Sequence, residues 1–157
     1  MKKAPGLTLI EILVTSAIIM TVSGLGLAAY NNFNNRQILN ATADELKNNL
    51  RQARGWAMAG RKFSYCNENE DDRLVNYQIS FFPDDHKYGI ALTCLSNPNN
   101  PILINSFSYD GKVTINSDQS PIVFSPLTGE TGQVITINLS LGSRSRQLNI
   151  NTNGEIN

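Results

Sequence analysis

The sequence predicts an α+β fold: a long N-terminal α-helix, its first half transmembrane, packed on a small antiparallel β-sheet domain. Three observations predict it. Residues 7–30 form an apolar run with a single charge, Glu11. Further on, Leu39, Ala43, Leu46, Leu50, Ala53 and Ala57 alternate steps of four and three, which draws one apolar stripe on a helix. From Lys62 onward, short β-prone runs alternate with Gly, Pro, Asn and Asp clusters, and none of these runs has helical period.

The bulk properties bound the rest. A chain of 157 residues suits one membrane segment and one small domain. Its 13 basic and 13 acidic residues cancel, and removing Lys2 and Lys3 with a leader leaves 11 against 13. A near-neutral chain has no general electrostatic reason to hold nucleic acid, which is therefore not an expected partner.

The apolar run comes first in chain order. About 20 apolar residues cross a bilayer as a helix. Lys2 and Lys3 stand before the run and keep that end cytoplasmic, leaving the remainder outside. Three readings compete: a plain anchor, a secretory signal cut after a small-x-small site near Ala28, and a short leader cut after Gly6. Glu11 discriminates between them. A carboxylate inside a hydrophobic segment costs a few kcal/mol on insertion scales, and a passive anchor gains nothing from it. Cleavage after Gly6 creates a free amine on Leu7, one helical turn from Glu11. In a stack of such helices, the amine of one subunit neutralises the carboxylate of the next and sets the axial register.

The residues Gly6-Leu7-Thr8-Leu9-Ile10-Glu11, behind the short basic leader 1–6, resemble the cleavage and methylation signature of type IV prepilins. The resemblance implies a prepilin peptidase that cuts after Gly6 and N-methylates Leu7. It also implies a subunit stored in the inner membrane and later built into a filament with other pilins. Leu7 stands where Phe is commoner. Many pilins carry a proline near the position of Ala28, and this chain has none there.

The second half of the helix comes after the polar stretch 31–35. Lys47, Arg51 and Arg54 fall largely off the apolar stripe, and Gly60 marks the stop. One helix over about residues 7–59 is expected, with Gly24 and Gly26 as points of looser packing. The alternative is a separate helix after a loop at residues 31–35.

Strands are expected over residues 62–66, 75–82, 88–94, 102–109, 112–116, 122–124, 134–141 and 146–152. Asp110-Gly111 is a two-residue hairpin signal joining the fourth and fifth of these. Residues 83–85, 97–101 and 128–129 mark further turns. One antiparallel sheet, or two, should cover the apolar stripe.

A second resemblance spans this part. Leu50-Arg51-Gln52-Ala53-Arg54 with Ala57, Gly60, Arg61, Phe63 and Cys66 is similar to the GspH/FimT minor pseudopilin family. So are Phe124-Ser125-Pro126-Leu127-Thr128-Gly129 and the later strands up to Gly154. Some members carry arginines just after that late glycine and are associated with DNA. This chain has Glu155 there. Arg144 and Arg146 remain nearby as candidate DNA contacts, and arginines in a hairpin turn are more often simply solvated.

Few other residues carry chemistry. Cys66 and Cys94 lack a CxxC pattern and lie far from the lone His86, so metal ligation is not expected, and in an exported domain they should form a disulfide. The acidic stretch 67–72 has oxygen ligands for Ca²⁺ but no EF-hand spacing, so a solvated loop is expected. His86 beside Asp84 and Asp85 reads as an exposed turn residue and not half of an acid–base pair. Trp56 reads as a packing residue. No nucleotide, zinc-protease or nucleophile-elbow motif is present, and neither an enzyme nor a cofactor is expected.

The expected organisation is therefore a leader over residues 1–6, a transmembrane and filament-core helix over 7–30, its amphipathic continuation over 31–60, and a β-rich domain over 61–157. The expected role is a minor pilin or pseudopilin of a type II secretion pseudopilus or a type IV pilus. The chain would be a single-pass inner-membrane protein until assembly, with its domain outside the cytoplasm. The alternatives are a pilus-tip DNA-binding or adhesin subunit, and a secreted domain whose signal is cut near Ala28.

Overall fold

A computed structural model describes residues 8–62, 65–66 and 72–157, without side chains at 25–29. The elements run α1 (Leu9–Met58), β1 (Leu74–Phe82), β2 (Lys87–Cys94), β3 (Ile102–Ser108), β4 (Thr114–Ser117), β5 (Ile122–Phe124), β6 (Ile135–Leu141) and β7 (Arg144–Ile150). A 3-10 turn at Pro83–Asp85 links β1 to β2. The leader, with Gly6 and Leu7, lies outside the described residues. So do residues 63–64 of the strand expected at 62–66, and the described part of that stretch is not a strand.

The chain divides into two compact units, Met1–Gln37 and Ile38–Asn157. In the first, α1 is helical throughout its described length, and no loop interrupts it at residues 31–35. Its apolar side chains from Leu9 to Val22 are exposed. Among the described residues, no helix is long and apolar enough to cross a membrane. The span expected over 7–30 takes in residue 7 and the side chains of 25–29, which lie outside the described residues.

In the second unit the predicted stripe is the centre of the core. Leu39, Ala43, Leu46, Leu50, Ala53 and Ala57 are all buried, in one cluster with residues from two sheets. One sheet has the order β3-β2-β1-β5 and the other β4-β6-β7. All described pairings are antiparallel. Strand β6 shows why a strand suits this site: Ile135, Ile137, Leu139 and Leu141 point inward, with Thr136, Asn138 and Ser140 between them. Strand β2 is buried on both faces from Tyr88 to Cys94, as befits a central strand.

The structure corrects one expectation about topology. A tight turn does form at Asp110-Gly111, where Val113 N–H donates to the Asp110 carbonyl at 2.9 Å and Lys112 N–H to its carboxylate at 2.8 Å. It is not a hairpin. Strand β3 pairs with β2, whereas β4 pairs with β6 in the other sheet. The turn signal was real, but the partner of the next strand was chosen by the core.

Helix α1 ends as Gly60 predicts. Gly60 takes φ +58°, its N–H donates to Ala57 O at 3.0 Å, and Arg61 N–H donates to Trp56 O at 3.1 Å. These are the two bonds of a Schellman cap, and a left-handed glycine at its C′ position lets the chain turn away.

Candidate functional site

At the start of α1, Thr8 and Glu11 form a reciprocal cap. The first intrahelical bond runs from Ile12 N–H to the Thr8 carbonyl, at 3.3 Å. The Glu11 carboxylate accepts the Thr8 N–H at 3.0 Å and the Thr8 hydroxyl at 3.0 Å, and the Thr8 hydroxyl oxygen accepts the Glu11 N–H at 3.3 Å. Helix starts leave their first N–H groups without intrahelical partners, and this pattern satisfies two of them. Within one subunit, then, Glu11 already has a polar partner. The threonine with a glutamate three residues later is a capping-box signal that was present in the sequence, and reading Glu11 only as half of an intersubunit pair missed it.

At the other end, α1 holds the last residues of the described chain. Arg54 Nη2 donates to the Asn153 carbonyl at 3.0 Å and Arg51 Nη2 to the Ile156 carbonyl at 3.3 Å. The segment after β7 folds back along it: Asn157 N–H donates to Asn149 O at 2.9 Å, and Ile156 is buried in the core. Glu155 closes the turn by taking a bond from Asn151 Nδ2 at 2.8 Å and giving its N–H to Asn151 Oδ1 at 2.8 Å. The edge of β7 is thereby covered by the chain itself. The arginine pattern of α1 and the late Gly154 meet here, 100 residues apart in sequence, so no local signal could have linked them.

Cys66 and Cys94 are joined in a disulfide, which ties the segment after α1 to the end of β2. Asp72 lies beside it. Residues 67–71 of the acidic stretch lie outside the described residues, but Asp72 is buried and not solvated as expected. Its carboxylate accepts the Ser96 N–H at 2.8 Å and the Ser96 hydroxyl at 2.9 Å. Cys66, Asp72 and Cys94 are also the one group of three metal-ligand types found close together among the described residues. With the two sulfurs bonded to each other they offer no thiolate, so the geometry does not fit a soft metal ion.

Arg144 and Arg146 do not share a hairpin turn. Residues 142–143 make the turn, and both arginines belong to β7, with Arg144 paired opposite Leu141. Arg146 is not a free solvated cation: it bonds Asp44 Oδ1 at 2.8 Å and Asn40 Oδ1 at 3.3 Å. His86 is exposed at φ +51°, with its ring edge-on to Tyr109. Trp56 is half-buried against Tyr77, with ring centroids 6.1 Å apart.

Tyrosines set the polar limits of the core. Burial pushes the Tyr77 hydroxyl up to about 12, opposed by the nearby Arg61 charge, and Tyr77 donates to the Arg61 carbonyl. Burial also pushes Tyr88 up to about 12 despite a bond from Asn49 Nδ2 at 2.8 Å. None of these groups forms an acid–base pair facing a cavity.

Comparison with known proteins gives one match. A family model described as type II transport protein GspH matches residues 42–154, well over half of the chain. No curated protein and no solved structure matches.

Proposed function

The chain belongs to the GspH family of type II transport proteins, a structural pseudopilin family, and from that premise we propose that it is a minor pseudopilin cleaved after Gly6 and N-methylated at Leu7. Before assembly it is held in the inner membrane by residues 7–30, with the domain outside the cytoplasm. It is then built into a pseudopilus beside other pseudopilins. The observation that carries this reading is a helix whose apolar side chains are exposed from Leu9 to Val22 around a single carboxylate, Glu11, in its first turn. Exposed apolar side chains on that scale need a bilayer or neighbouring helices to cover them. The carboxylate is placed where the amine of a neighbour, once cleaved, can reach it.

Mass spectrometry of the mature N-terminus tests the processing. An N-methylated leucine corresponding to Leu7 supports the reading, and a start near Ala28 replaces it with a secreted domain. Glu11→Gln tests assembly: membrane insertion should persist while incorporation into the filament stops. Normal incorporation of that variant would count against the register mechanism. A DNA-capture role has less support, because Arg146 is already bonded to α1 and Glu155 comes directly after the late glycine.

A further inference from the structure

We propose that Asp72 is the proton acceptor that closes the Cys66–Cys94 disulfide. The two sulfurs and a carboxylate oxygen of Asp72 all lie within 4.8 Å of one another. The three residues are 4%, 2% and 5% exposed for Cys66, Cys94 and Asp72 respectively. They arrive from three places: the segment after α1, the end of β2 and the approach to β1. Ser96 fixes the carboxylate through its N–H and its hydroxyl, one on each oxygen. A carboxylate has about four acceptor positions, so lone pairs remain for the sulfur side.

The chemistry calls for a base at this place. Only the thiolate attacks a disulfide, and burial in apolar surroundings disfavours the thiolate. In the reduced chain, a glutathione disulfide first exchanges with one cysteine, giving a mixed disulfide and one glutathione. The second thiol then passes its proton to Asp72 and attacks the sulfur of the first cysteine. The Cys66–Cys94 bond forms, the sulfur–glutathione bond breaks, and glutathione leaves as a thiolate that takes the proton from Asp72. Two thiols and one glutathione disulfide become one protein disulfide and two glutathiones. Before the attack the pocket holds a single negative charge, first on oxygen and then on sulfur, so no second charge is ever buried.

A purely structural role, in which Asp72 only clamps Ser96 to the start of β1, is the competing explanation, and the test separates the two. It does not depend on the filament reading, because closure is tracked on the isolated full-length chain in detergent. The chain is reduced with a phosphine and freed of it. Glutathione disulfide is added, and samples are trapped by alkylation and weighed. Asp72→Asn keeps an oxygen for Ser96 but loses the base. It should slow conversion of mixed disulfide to closed product by roughly 10–100-fold, at the low end of general-base effects. The wild-type step should show a solvent deuterium isotope effect that Asp72→Asn lacks and Ser96→Ala keeps. In urea, where the pocket is dismantled, wild type and Asp72→Asn should close at the same rate. The proposal is overturned if folded Asp72→Asn closes at the wild-type rate, or if the wild-type closing step shows no isotope effect. The second criterion stands even if the variant fails to fold.

Discussion

The Arg146 guanidinium on β7 donates to the Asp44 carboxylate on α1 at 2.8 Å and reaches Asn40 one turn earlier. This contact ties the second sheet to the helix and takes up a cation that the sequence left open for nucleic acid. The two side chains are 33% and 59% exposed. Solvent screening at that exposure keeps such pairs small, so a double-mutant cycle with Arg146→Ala and Asp44→Ala should give a coupling of about 0.5 kcal/mol. Urea unfolding checks it. In a gel-shift assay at low salt, Arg144→Ala/Arg146→Ala should match wild type, with no DNA retained by either.

Gly154 should tolerate no side chain. It sits at φ +77°, where L side chains are strained, and a methyl there would run into the Gly129 carbonyl and crowd Arg54 Nε at 3.1 Å. Gly129, at φ +69°, faces mainly Met58 Cγ at 2.6 Å and Arg54 Cγ at 3.0 Å, both on flexible chains. Gly154→Ala should therefore cost about 3 kcal/mol or more, and Gly129→Ala about 1–2 kcal/mol. Urea midpoints rank them, and the reverse order would show that the tail is more pliable than its contacts imply.

Removing the disulfide should be costly because of the chain it spans. Cys66 and Cys94 are 28 residues apart. Cys66→Ala/Cys94→Ala should lose about 3–4 kcal/mol on the chain-entropy account, and wild type in a reductant should approach it. Denaturant titration with and without reductant measures both.

Alkali should unfold the domain through two hydroxyls. Tyr77 and Tyr88 rise from 10.0 to about 12 in the folded state through burial. A raised folded value means that the unfolded chain loses its proton first. The stability held by the neutral hydroxyls is complete below pH 10 and is lost as pH climbs towards 12. Tyr77→Phe/Tyr88→Phe should flatten that decline in urea titrations at a series of alkaline pH values, whatever its effect at neutral pH.

Much of this architecture is legible along the chain, because it rests on local physics. The steps of four and three from Leu39 to Ala57 suffice to name one face of α1, since a helix repeats about every 3.6 residues. Gly60 ends it for want of a Cβ, and alternation in β6 names its inner face. The threonine-to-glutamate spacing of the first cap is equally local. Contacts between distant segments are not written in any short window of sequence. Asp110-Gly111 announces a turn, but whether β4 returns to β3 or crosses to β6 depends on which apolar face can be covered, and that is settled only when both sheets meet the helix. Arg146 became a tie and not a solvated charge because β7 lies beside α1. Asp72 left its acidic neighbourhood for the interior because Ser96, 24 residues on, supplies two donors that offset its desolvation. Periodicity determined the elements by itself; their partners were decided by burial in three dimensions, which joins residues that the backbone keeps far apart.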